Sequence, residues 1–208
     1  MSFSAVILAG GQSRRMGLDK AFLDLGAKPL LARQIETVRA AGAIEIFISG
    51  RAGVDYSRFG CPVLGDHFPG AGPLAGIEAA LAAATHSRLL VLAVDLPRMD
   101  GAFLRRLAAI SPSDRGKIPI HVAGIEPLVA FYPKTAQGLA AAMLRDENHA
   151  ATAFAKQAVE TGLAQFVALS APELGGFVNW NCPADIMGGV AGDPARTHHH
   201  SAQNDLSG

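Results

Sequence analysis

The sequence predicts an α/β fold built around a mostly parallel sheet. Short apolar runs alternate along the chain with longer segments of helical periodicity, as in successive βαβ units. The runs at residues 5–9 and 89–94 contain no charged residue, which is typical of strands buried on both faces of a parallel sheet. Half of the 208 residues are apolar and 17% are charged, so the chain has the composition and length of one ordinary domain.

The predicted elements follow this alternation from the N-terminus. Strands are expected at residues 5–9, 44–49, 62–64, 89–94, 118–122, 128–131 and 165–169. Helices are expected at residues 29–41, 76–84, 102–110, 134–144 and 151–159, with Gly42 just beyond the end of the first. The periodicity stops after Met187, so residues 1–187 are predicted to form the domain and residues 188–208 a disordered tail. Three adjacent histidines in that tail are interpreted as incidental rather than as a metal site.

Charge and cysteine content limit the classes of function. Acidic and basic residues are equal in number, and no basic run is present, which disfavours binding to nucleic acid or to acidic membranes. The two cysteines are far apart and lack CxxC spacing, so reduced thiols are expected rather than a disulfide or a zinc site. The first apolar run is too short for a signal peptide, and no run approaches the length of a membrane span. The sequence therefore predicts a cytoplasmic protein.

The loop after the first predicted strand has the composition of a phosphate-binding loop. Residues 10–20 contain three glycines and three basic residues, among them Gly10, Gly11, Arg15 and Lys20. Glycines allow backbone N–H groups to approach an anion, and the arginine and lysine add positive charge. The loop matches neither the Walker A pattern nor GxGxxG. The alternative is a glycine turn that carries exposed basic side chains.

A single aspartate, Asp95, follows the strongest predicted strand. Magnesium in proteins prefers one or two carboxylates, with phosphates and water completing its coordination. Asp95 is therefore a candidate Mg²⁺ ligand, and the alternative is a turn residue before Pro97.

Two further stretches are candidates for ligand contact. Asp66 precedes a loop that contains Gly70, Gly72 and Pro73, which predicts either backbone against a flat base or ribose, or a tight turn entering a helix. Near the C-terminus, Asn179 and Asn181 are either turn residues or amide ligands. Known motifs for a nucleophilic serine or a zinc-binding helix are absent from the sequence.

The chain resembles the molybdenum cofactor guanylyltransferases in five short motifs. These are LAGGQSRRMGLDK at residues 8–20, GPLAG at 72–76, VDLP at 94–97, EPL at 126–128 and NWNCPAD at 179–185. The resemblance implies a single Rossmann-like three-layer domain that joins GTP to the terminal phosphate of molybdopterin and releases pyrophosphate. It further implies, as partners, a molybdopterin-loading protein and apo-molybdoenzymes or their chaperones.

The resemblance also implies roles for individual residues. The nucleotide contacts fall on Leu8, Ala9, Gly10, Gly11, Lys20 and Asp66, and the Mg²⁺ ligand falls on Asp95. Asn179 and Asn181 are expected near the pterin or the metal. Arg15, Lys20 and Asp95 would together neutralise charge during transfer at phosphorus, a reaction that depends mainly on positioning and electrostatics.

Two departures from the family pattern concern Ser49 and Cys182. The residues after the second strand read ISGR, one residue shorter than the family's usual stretch, so the base contact is assigned to Ser49. Cys182 stands where the family commonly has threonine, and a thiol is a weak hydrogen-bonding substitute.

Three other functions remain open from sequence. A cytidylyltransferase that acts on the same pterin would use CTP, although the resemblance, through the LAGG and GPLAG motifs, implies GTP. A nucleotidyltransferase specific for sugar phosphates would act without a pterin. A non-catalytic cofactor carrier would not need Asp95, Lys20 and Arg15 around one loop. A monomer is favoured.

Overall fold

The computed structural model of the protein describes residues 2–10, 20–25, 28–110 and 114–177. Within these residues no helix is both long and apolar enough to cross a membrane. The predicted tail at 188–208 lies outside the described residues.

A sheet of eight strands forms the centre of the protein. Seven strands follow the order β10-β7-β9-β6-β1-β4-β5, and β8 pairs with β7. The pairs of β1 with β4 and β6, of β4 with β5 and of β7 with β10 are parallel, whereas β9 runs antiparallel between β6 and β7. A separate small hairpin is formed by β2 and β3. The strands are β1 (Phe3–Leu8), β2 (Asp24–Leu25), β3 (Lys28–Pro29), β4 (Ala43–Ser49), β5 (Val63–Leu64), β6 (Arg88–Ala93), β7 (Gly116–His121), β8 (Gly124–Ile125), β9 (Val129–Pro133) and β10 (Ala164–Ala168).

Helices cover both faces of this sheet, which gives the three layers expected from the resemblance. One apolar cluster packs α1 and α3 against the sheet, and a second packs α2, α4 and α5 against the opposite face. The helices are α1 (Leu30–Ala41), α2 (Pro73–Ala83), α3 (Gly101–Ala109), α4 (Gln137–Arg145) and α5 (Ala151–Glu160).

The predicted fold class is confirmed, and most predicted elements are present within a few residues of their expected ends. The start of α2 at Gly76 was wrong, because Pro73 is already the first helical residue, where its fixed φ suits a helix. The helix predicted at residues 134–144 is present, and it begins as a 3-10 turn at Lys134–Ala136 before the α-helix starts at Gln137. Gly42 follows α1 with φ +104°, as predicted.

The short helical segment Ala171–Phe177 was not predicted, and it packs on α3 through a carboxylate. Glu173 accepts hydrogen bonds from the Ser170 hydroxyl (2.6 Å) and backbone N–H (2.8 Å). Its second oxygen receives a bond from Arg106 of α3 at 3.0 Å. These bonds, led by the Ser170 hydroxyl, lower the pKa of Glu173 to about 2.

Because the folded-state pKa of Glu173 lies below its ordinary value of 4.5, the carboxylate contributes stability above about pH 4.5 and loses it as the pH falls toward 2. We therefore expect Glu173→Gln to lower the melting temperature at pH 7, with a deficit that shrinks as the pH falls below about 4.5 and disappears only below about pH 2. Melting curves across this range check the expectation, with the exposed Glu160→Gln on α5 as a control that should show no such convergence. An equal deficit at every pH would contradict it.

Candidate active site

The carboxyl ends of the central parallel strands meet at one edge of the sheet. Leu8 at the end of β1 is in register with Ser49 of β4 on one side and with Ala93 of β6 on the other. Just beyond these pairs, the Ala9 N–H donates to the Ser49 carbonyl at 2.7 Å, and the Val94 N–H donates to the Leu8 carbonyl at 3.1 Å. The strand ends at this edge and the loops that follow them carry most of the described candidates from sequence. They are Leu8, Ala9, Gly10, Ser49, Asp66 and Asp95.

Asp95 lies in the turn that follows β6, and a buried glutamine holds this turn in place. Gln34 of α1, which is 2% exposed, donates from its side-chain Nε2 to the carbonyl of Leu96 at 2.6 Å. The same nitrogen lies 3.5 Å from the Val94 carbonyl. Two carbonyls that flank Asp95 are thus bound to one side chain of α1, and Asp95 itself is half-buried at the edge. Sequence reasoning missed Gln34, although a polar residue on the buried face of an amphipathic helix was a signal.

Asp66 carries a buried acceptor atom. Its Oδ1 atom is shielded from solvent and has no hydrogen-bond donor among the described residues. Burial raises the pKa of Asp66, and the neighbouring His67 only partly opposes that effect. A buried carboxylate oxygen without a donor is costly, so this atom is suited to accept a hydrogen bond from a ligand.

A buried carboxylate on α2 holds the loop that follows Asp66. Glu78, 3% exposed, contacts the Nδ1 atom of His67 at 2.9 Å through Oε2. Its Oε1 atom accepts a hydrogen bond from Gln137 of α4 at 2.7 Å. This link was also missed from sequence, although Glu78 is the only charged residue in α2.

The first turn of α2 lies directly against the strand ends. A Cβ atom on Gly76 would lie 2.3 Å from the Ser49 hydroxyl and 3.0 Å from Leu8, so only glycine allows this approach. The helix begins after Gly72 without a side-chain cap, and its positive end is at the edge. Ser49 is buried beneath α2, and its assigned contact with the base stays a prediction.

An aromatic stack places the Lys20–Phe22 turn beside the loop after β4. The ring of Phe22 stacks on Tyr56 at 5.5 Å between centroids. The Tyr56 hydroxyl oxygen accepts a hydrogen bond from the Arg51 N–H at 3.1 Å. The backbone of Lys20 therefore returns to the same edge of the sheet. Gly11, Arg15, Asn179 and Asn181 lie outside the described residues, and their roles remain predictions.

The edge continues to β7, where a histidine and a carboxylate form a pair that sequence reasoning did not find. His121 Nε2 and Glu126 Oε1 are 2.8 Å apart, and both side chains are half-buried. Glu126 belongs to the EPL motif, which carried part of the resemblance but had no assigned role.

Residues 5–161 match the family described as the MobA-like NTP transferase domain. The chain belongs to this family. Among curated relatives, the probable molybdenum cofactor guanylyltransferase of Opitutus terrae is 39% identical over 187 residues, which span 88% of this chain and 93% of the relative. The molybdenum cofactor guanylyltransferase of Rhizobium meliloti is 36% identical over 192 residues, 88% of each chain.

Solved structures share the fold of this MobA-like chain. Molybdopterin-guanine dinucleotide biosynthesis protein A from Archaeoglobus fulgidus superposes with a TM-score of 0.70 at 24% identity, covering 88% of this chain and 95% of that one. The 2-C-methyl-D-erythritol 4-phosphate cytidylyltransferase of Thermus thermophilus superposes with a TM-score of 0.68 at 20% identity, covering 90% and 96%. Because a cytidylyltransferase has the same fold, the fold alone does not select the nucleotide.

The positions of Asp66 and Asp95 in this MobA-like site indicate that the two residues do not share one metal ion. Asp95 follows β6 and Asp66 follows β5, and β1 and β4 lie between them. Three strand spacings correspond to about 14 Å, too far for both carboxylates to bind one metal ion. Within the described ranges no group of three or more acidic, histidine or cysteine side chains is arranged to hold a metal ion. Among the described residues, Asp95 stays the candidate Mg²⁺ ligand, as a single carboxylate at a strand end whose metal site substrate phosphates would complete.

Proposed function

We propose that this nucleotidyltransferase transfers GMP from GTP to the terminal phosphate of molybdopterin, which releases pyrophosphate and forms the guanine dinucleotide of the cofactor. An oxygen of the acceptor phosphate forms the new bond to the α-phosphorus of GTP, and the bond from that phosphorus to the bridging oxygen of pyrophosphate breaks. The acceptor is already an anion near neutral pH, so the step needs no general base. Curated relatives named as molybdenum cofactor guanylyltransferases support this proposal.

The observation that carries the choice of guanine is the buried Oδ1 atom of Asp66. Guanine presents two adjacent donors, N1–H and the 2-amino group, whereas cytosine presents only its 4-amino donor on the corresponding edge. A carboxylate only accepts hydrogen bonds, so it pairs better with guanine than with cytosine. This argument disfavours the cytidylyltransferase alternative.

Positive groups would meet the phosphates at the other end of the nucleotide. Asp95 would hold Mg²⁺, which neutralises charge on the phosphates when bound. The uncapped first turn of α2 and the side chains of Lys20 and Arg15 would add further positive potential. Gln34 would keep the Asp95 turn fixed before substrate binds. A cytoplasmic location and a monomeric state remain part of this proposal.

The direct test measures pyrophosphate release with molybdopterin and either GTP or CTP. We expect GTP to be strongly preferred. Equal or better activity with CTP would contradict the choice of guanine, and turnover with a sugar phosphate in place of the pterin would contradict the choice of acceptor. A carrier would bind molybdopterin without releasing pyrophosphate.

A substitution at Asp66 tests the role of its buried oxygen. We expect Asp66→Asn to raise the KM for GTP by roughly 10- to 100-fold, because a charged hydrogen bond to the base is lost. The kcat should change little, since this contact is formed equally in the ground state and the transition state. The preference for GTP over CTP should also shrink.

Asp146→Asn is the matched control, because Asp146 is an exposed aspartate at the end of α4. It should leave both kinetic constants unchanged. A KM for GTP in Asp66→Asn equal to that of the wild type would remove Asp66 from the nucleotide site.

A further inference from the structure

The pair formed by His121 and Glu126 is held firmly by its backbone. The Glu126 N–H donates to the Pro119 carbonyl of β7 at 2.9 Å, and the Glu126 carbonyl accepts from the Val129 N–H at 3.2 Å. Since β9 separates β7 from β6, the pair lies about two strand spacings from the end of β6, roughly 10 Å. It is thus on the side of Asp95 opposite to Asp66.

The hydrogen bonds of His121 determine which of its ring nitrogens carries the proton. The backbone N–H of Ala123 donates to His121 Nδ1 at 3.2 Å, and a backbone amide can only donate. Nδ1 is therefore the acceptor, and the proton is at Nε2, where it is donated to Glu126 Oε1 at 2.8 Å. One oxygen of the carboxylate is thereby fixed in direction.

The other oxygen of Glu126 is the atom that we consider as a ligand contact. Within residues 2–10, 20–25, 28–110 and 114–177, no side chain donates to Glu126 Oε2, and the Glu126 side chain is 29% exposed. The ring of Phe177 lies 6.4 Å from that of His121, tilted by 50°. A carboxylate directed by a histidine, with an aromatic ring next to that histidine, is suited to a flat heterocycle with adjacent N–H donors.

We propose that Glu126, positioned by His121, recognises the pterin ring of the acceptor through its 2-amino group and N3–H. This inference rests on the proposed function, in which the acceptor is a pterin. The ring presents two neighbouring donors, and a carboxylate accepts both in a bidentate arrangement. Guanine has the same pair of donors. The two substrates would therefore be bound by separate carboxylates, the guanine of GTP by Asp66 at one end of the edge and the pterin by Glu126 at the other.

Binding of two simple ring compounds, pterin and lumazine, to the full chain tests this recognition. Pterin carries the 2-amino group, whereas lumazine has a carbonyl oxygen in its place and would repel a carboxylate. We expect the wild type to bind pterin about tenfold or more tightly than lumazine, measured by the change in ring fluorescence. Glu126→Gln should bind the two rings within about threefold of each other, because the amide can donate to the lumazine oxygen.

Further variants distinguish a loss of pterin recognition from a general structural disturbance. His121→Asn should reduce the preference for pterin only in part, since it disturbs the direction of the carboxylate but keeps its charge. Glu160→Gln, an exposed change on α5, should keep the wild-type preference. In the transfer assay, Glu126→Gln should raise the KM for molybdopterin about tenfold and leave the KM for GTP unchanged.

The outcomes distinguish this inference from the function on which it rests. If the wild type releases no pyrophosphate from GTP and molybdopterin, the proposed function itself is wrong. If the wild type is active but does not prefer pterin to lumazine, or if Glu126→Gln keeps both that preference and the KM for molybdopterin, only the role of Glu126 is overturned.

Discussion

Replacing Asp95 with alanine is expected to lower the rate of pyrophosphate release by about 10³-fold. The reason is that transfer at phosphorus depends on charge neutralisation, and Asp95 is the carboxylate proposed to hold Mg²⁺ at the phosphates. The fold should survive, because Asp95 is half-buried in a turn that Gln34 still holds through the Leu96 carbonyl. The measurement is single-turnover pyrophosphate release, together with a melting curve of the variant.

Asp100→Ala is the matched control for this loss of activity. Asp100 is the N-cap of α3, where its Oδ1 atom accepts a hydrogen bond from the Ala102 N–H at 2.9 Å. Losing this cap should cost about 1 kcal/mol of stability and leave the rate of transfer near that of the wild type. Asp95→Ala should thus lose activity but keep its stability, whereas Asp100→Ala should lose stability but keep its activity. Full turnover by Asp95→Ala would mean that the metal assignment is wrong.

Replacing Gly50 with alanine is expected to destabilise the fold by about 2–3 kcal/mol. A Cβ atom at this position would lie 2.2 Å from a ring carbon of Tyr56, which is 1% exposed. The ring would have to move, which would disturb its stack on Phe22 and the hydrogen bond from the Arg51 N–H. The melting temperature should fall by roughly 5–10 °C.

The same change should weaken nucleotide binding, because Phe22 connects Tyr56 to the turn that begins with Lys20. Gly138→Ala is the control for adding one methyl group. Gly138 lies in α4 with no atom within 4 Å of the added carbon, so alanine there should stabilise the protein by about 0.4–1 kcal/mol. A wild-type melting temperature for Gly50→Ala would contradict the packing described around Tyr56.

The sequence was sufficient to predict the elements that depend on local pattern. The runs that became β1 and β6 are apolar because both faces of these strands are buried, and that pattern is visible without a partner. The rule that ligands bind at the carboxyl ends of parallel strands was enough to bring Asp66 and Asp95 to one edge. The antiparallel insertion of β9 between β6 and β7 was not predictable, since pairing direction is decided by contacts distant in sequence.

The side chains that support the site were missed for a related reason. Gln34 bonds a carbonyl 62 residues away, and Glu78 is bound by a glutamine 59 residues away. Each is a buried polar residue in a helix face that is otherwise apolar. Its hydrogen-bond partner is known only once the packing of the helices is known. A buried polar residue in an apolar helix face therefore predicts that a partner exists but does not identify it.

The central claim is that the α-phosphoryl group of GTP moves, with its guanosine, onto molybdopterin, and radioactive labelling tests it most directly. The purified chain is incubated with Mg²⁺, molybdopterin and GTP labelled at either the α- or the γ-phosphorus. We predict that the α label appears in a pterin dinucleotide and that the γ label appears only in pyrophosphate. A γ label in the pterin product, or an α label that stays in free nucleotide while wild-type protein binds both substrates, would contradict the account.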